Sequence, residues 1–106
     1  MAVTFESLVV DLDRVSSSAT FQDEVCARIL ELKSFALVER GEHRLEFSAP
    51  PSWKSDGETL HVDFEDGAIR IRSLCASAQW IDSGKNADNV EAVRRVVASM
   101  LRRGPR

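Results

Sequence analysis

The chain has 106 residues and a mass of 11.8 kDa, with 43% hydrophobic and 29% charged side chains. A chain of this size buries roughly two-thirds of its unfolded surface without staples, and its composition excludes a disulfide scaffold, a disordered tail, a collagen-like fibre and a multidomain enzyme. Seventeen acidic against fourteen basic side chains leave a net charge of −3, a poor start for neutralising phosphates, so nucleic acid and anionic membrane are not expected partners.

Residues 4–12 fit two periods. Thr4, Glu6, Leu8, Val10 and Leu12 alternate with their neighbours, while Phe5, Leu8, Val9, Leu12 and Val15 also form a helical stripe. The adjacent valines favour a strand. After the Ser16-Ser17-Ser18 break, Thr20 with Asp23 three residues on resembles a capping box. Phe21, Val25, Ile29 and Leu32 then line one face of a helix of about three turns, with Glu24 and Arg28 paired on its solvent side.

From Phe35 the period changes to two. A three-residue loop at Arg40-Gly41-Glu42, with Gly41 in the left-handed conformation, would set Phe35 opposite Phe47 and Leu37 opposite Leu45. The proline-containing stretch from Ala49 to Gly57 reads as a loop. Asp66-Gly67 is a type I′ turn signal between two alternating runs. That turn pairs Phe64 with Ile69 and Val62 with Ile71 inside, and Asp63 with Arg70 and His61 with Arg72 outside; a slip of one residue destroys both sets. Val90, Val93, Val97, Met100 and Leu101 define a last helix, with Glu91 and Arg95 paired outside, Asn86 or Asp88 as its N-cap, and Arg102 and Arg103 at its negative end.

The order is β-α-β-β-β-β-α. Consecutive hairpins make an antiparallel sheet of four or five strands, and two one-sided helices must cover its apolar face, which gives a single-domain α+β two-layer sandwich. The order is similar to a shortened helix-grip arrangement, a likeness of architecture alone. The run Asp82-Ser83-Gly84-Lys85-Asn86-Ala87-Asp88-Asn89 after a strand resembles the C-terminal half of small uncharacterised bacterial α+β domains with a D-x-G-K-N-x-x-N entry into their last helix. The resemblance covers roughly the last forty residues. It implies the strand-loop-helix order and no activity.

Two surfaces offer chemistry. His61, Asp63, Arg70 and Arg72 share the outer sheet face, where histidine beside a carboxylate suggests acid–base work and paired arginines suggest phosphate or carboxylate binding. Alternation by itself generates the same residues as a solvated face of ion pairs. Gly84, Lys85 and Asn86 form a glycine-lysine loop at a helix start, able to hold an anion on free N–H groups, although the P-loop pattern is incomplete. Trp53, in the loop, is a candidate contact for a partner; Trp80 is expected to pack under the last helix.

The two histidines, His43 and His61, come with no nucleophile motif. No catalytic set, cofactor or metal is therefore expected, and hydrolase or isomerase work by His61 and Asp63 is the weakest reading. The first expectation is a small non-enzymatic interaction or regulatory domain, as a homodimer or with a protein partner; the second is an anion- or small-ligand-binding domain. With no leader and no apolar run near about 18 residues, the cytoplasm is the expected setting, and Cys26 and Cys75 are expected to be buried free thiols.

Overall fold

The alternating and helical runs fold as β1 (Thr4–Val10), α1 (Ala19–Glu31), β2 (Ala36–Arg40), β3 (Arg44–Ala49), β4 (Glu58–Glu65), β5 (Ala68–Cys75) and α2 (Lys85–Arg103). The computed structural model describes residues 4–10, 19–50, 57–65, 67–75 and 85–103. The opening segment is a strand, antiparallel to β5 from Thr4 opposite Leu74 to Val10 opposite Ala68. The sheet runs β1-β5-β4-β3-β2, every neighbour antiparallel. The first two strands are thus its two edges, and α1 carries the chain from one edge to the other.

Period-two alternation sends Leu45 and Phe47 of β3, Leu60, Val62 and Phe64 of β4, and Ile69 and Ile71 of β5 to one face. There Val25 and Ile29 of α1 and Val90, Val93 and Val97 of α2 complete a single core. This is the α+β two-layer sandwich, with five strands and both helices on one face. The β4–β5 hairpin takes the expected register, Phe64 opposite Ile69 and His61 opposite Arg72. Gly67 adopts a φ of 74°, the left-handed conformation that glycine reaches without steric cost.

The first hairpin differs from the expected pairing. Leu37, not Phe35, lies opposite Phe47, and Arg40 lies opposite Leu45, with a bulge between Leu37 and Glu39. Gly41 does not take a positive φ; its N–H donates to the Arg44 carbonyl at 2.7 Å. The bulge admits Val38 as an extra residue and leaves it 55% exposed. Glu39 then falls opposite Glu46, and Arg40 reaches over to Asp23 of α1. Phe35 still meets Phe47 edge-on, ring centres 6.5 Å apart, from just before the strand.

Both helix starts also differ. Thr20 lies inside the first turn of α1, and Asn86 and Asp88 lie inside the first turn of α2, so none of them is the cap. At the other end of α1 the Leu32 and Lys33 N–H groups donate to the Ile29 and Leu30 carbonyls at 3.1 Å. Lys33 takes a φ of 60°, turning the chain toward β2 in a conformation more usual for glycine or asparagine. Cys26 is a buried free thiol, and burial pushes its pKa up. Among the described residues no helix is long and apolar enough to cross a membrane.

On the solvent side, Glu24 pairs with Arg28 at 3.1 Å, and Glu91 holds both Arg94 (2.6 Å) and Arg95 (3.0 Å). Hydrogen bonds from these two guanidinium groups lower the Glu91 pKa from 4.5 to about 2. A carboxylate with a depressed folded pKa stabilises the fold above its unfolded value and loses that contribution as pH falls through the folded one. Melting curves of the wild type and Glu91→Gln are therefore expected to differ slightly at neutral pH, the wild type being the more stable. The gap should close as pH falls from 4.5 toward about 2, and added salt should shrink it at neutral pH.

Candidate functional site

The helix-free face of the sheet brings His61, Asp63, Arg70 and Arg72 together as expected, but the ion pairs are different. Asp63 is bound by Arg44 from β3, through both Nε and Nη2, and has Arg72 Nη2 at 3.7 Å. Arg70, although opposite Asp63, turns instead to Glu65, with Nε at 2.8 Å from Oε2. The physical reason is reach. Asp63 has one short side chain between two strands carrying arginines, and Glu65, one methylene longer, meets Arg70 diagonally.

His61 lies between Glu46, whose Oε1 is 3.4 Å from Nε2, and Arg72, whose Nη2 is 3.4 Å from Nδ1. Both ring nitrogens thus have a polar neighbour on the same face. Among the described residues both signs are interleaved across the face, Arg44, Arg70 and Arg72 against Glu46, Asp63 and Glu65. Among the described residues no group of three or more His, Cys, Asp or Glu side chains is placed to hold a metal ion.

At the second predicted site, Lys85 is the half-buried first residue of α2. Asn86 points inward, completely buried. Its Oδ1 accepts from Ser73 Oγ at 2.7 Å. Asn89, one turn on, donates from Nδ2 to Glu58 Oε1 at 2.8 Å and to Ser73 Oγ at 3.2 Å. Glu58 is 1% exposed, and its Oε2 has no hydrogen-bond partner. The start of β4, the end of β5 and the first turn of α2 thus meet in a buried polar cluster. The positive end of the α2 dipole favours an acidic side chain there. Gly84, Trp53 and Trp80 lie outside the described residues.

Glu58 and Ser73 were missed as site residues, yet a signal existed. Glu58 stands in phase with Leu60, Val62 and Phe64, and Ser73 in phase with Ile69 and Ile71, so each is a polar residue at an inward position. Asn86 and Asn89 likewise open the stripe that continues through Val90, Val93 and Val97.

A third surface lies around the end of α1. The large hydrophobic side chains left exposed among the described residues are Leu30, Leu32, Leu37 and Val38. All four fall between the last turn of α1 and the bulge of β2. Of these, Leu32 also lines an open groove of about 560 Å³ between α1 and α2, together with Ala92, Val96, Arg28, Glu31 and Arg95. The chain matches no protein-family model and no curated protein sequence.

Proposed function

We propose that the chain is a non-enzymatic protein-interaction domain that binds through the end of α1 and the β2 edge. The observation that carries this reading is that the large apolar side chains left exposed among the described residues, Leu30, Leu32, Leu37 and Val38, all fall in one stretch of chain; exposed apolar side chains of this size are what interaction sites offer. The bulge and the charged Glu39 and Arg40 guard β2 against extension by another strand, so the partner packs on side chains rather than adding to the sheet. Pairing of Arg44 and Arg72 with Asp63 and of Arg70 with Glu65 on the helix-free face weighs against the anion-binding alternative there. The buried free thiol of Cys26 suits a reducing compartment such as the cytoplasm.

A photo-crosslinking residue at Val38 should give discrete protein adducts in cells, whereas the same residue at Thr59, on the helix-free face, should give none. An equal yield at both positions, or no adduct at Val38, removes the reading.

A further inference from the structure

We propose that the partner is a second copy of this chain, seated two-fold on the groove between α1 and α2; this rests on the interaction reading above. The groove is lined by the apolar Leu32, Ala92 and Val96 and by side chains of both charge signs, Arg28, Glu31 and Arg95. A two-fold interface sets a patch against its own copy, so a patch that carries both signs can match each acid with a base of the other copy.

The pairing can be named from the ions already satisfied within one chain. Arg28 is engaged by Glu24 at 3.1 Å. Glu91 already takes two bonds from Arg94, from Nε at 2.8 Å and Nη2 at 2.6 Å, so the single bond from Arg95 Nε at 3.0 Å is the redundant one. Arg95 also has a side chain 76% exposed. Glu31 has no ion-pair partner among the described residues and lines the same groove. Two copies facing each other across the groove set Glu31 of each against Arg95 of the other, two symmetric ion pairs around a centre formed by both Leu32 side chains. Opposite charges placed in this way fix the orientation, and burial of Leu32, Ala92 and Val96 supplies the attraction.

Sedimentation equilibrium of the full chain from about 10 µM to about 1 mM should show an average mass rising from 11.8 kDa toward twice that value. Leu32→Glu and Glu31→Arg should each weaken association by about tenfold or more, and the charge swap Glu31→Arg/Arg95→Glu should restore it to within about threefold. All three positions are on the surface, and unchanged circular dichroism establishes that each variant folds. A strict monomer across the range, an association that ignores both single variants, or a swap that fails to rescue would each overturn the proposal. A monomer that still gives adducts of another mass from Val38 overturns the dimer and leaves the interaction reading standing. A monomer with no adducts removes both.

Discussion

Asn89→Ala is expected to cost about 3 kcal/mol, because removing one partner of a buried hydrogen bond leaves the other with its full desolvation cost. The Asn89 amide is the donor to Glu58 Oε1, and Oε2 has none, so the truncation strands both oxygens of a side chain that is 1% exposed. For a domain near this size that loss corresponds to a fall in melting temperature of roughly 15 °C. Glu58→Gln keeps an acceptor for Asn89 while deleting the acid, and is expected to leave stability unchanged or to raise it by about 1 kcal/mol. In the Glu58→Gln background, Asn89→Ala should cost only about 1 kcal/mol, the ordinary net worth of a neutral hydrogen bond. Urea unfolding of the four proteins measures the coupling between the two residues. Equal costs of Asn89→Ala in the two backgrounds would show that the cluster is not held together through Glu58.

Phe47→Ala is expected to cost about 4 kcal/mol, the usual price of deleting a fully buried ring. Phe47 has no exposed surface and lies between Leu37 on β2 and Leu60 on β4, edge-on to Phe35. Relaxation cannot refill the space easily, since Leu45 and Leu60 around it are themselves held in register by the sheet. Against a typical domain stability of about 5–15 kcal/mol, the variant should be at the edge of folding at 37 °C. Leu37→Ala, at a side chain already 38% exposed, is the control and should cost less than about 1 kcal/mol. Denaturant midpoints for the pair test whether the bulged register is correct. In the pairing expected from periodicity, Leu37 would lie opposite Leu45, and the two costs would be closer.

Periodicity by itself carried the architecture. The alternation of Leu60, Val62 and Phe64 against Ile69 and Ile71 around Asp66-Gly67 leaves one register that keeps the apolar residues together, so the second hairpin was legible residue by residue. The stripe from Val90 to Leu101 was legible for the same reason, as were the surface pairs Glu24–Arg28 and Glu91–Arg95, because local geometry alone places residues four apart side by side.

The first hairpin was less legible. A bulge breaks the strict period of two, and no residue type in Ala36–Arg40 announces one. The helix starts were misread because asparagine in a first turn serves equally as a cap or as an inward hydrogen-bonding group, and only a partner across space decides between them.

From the linear order, then, came the strand and helix assignments and the inner and outer faces; the inward phases of Glu58, Ser73 and Asn89 are written there too but went unread, and Asn86 reads there as a cap. Only the tertiary structure decided that these four meet, that Asp63 takes Arg44 and Arg72 while Arg70 takes Glu65, and that Arg40 is drawn to Asp23. The difference is physical. Facing is set by the local repeat of the backbone, whereas the choice among several partners of one charge depends on how separate elements converge, and no local repeat encodes that.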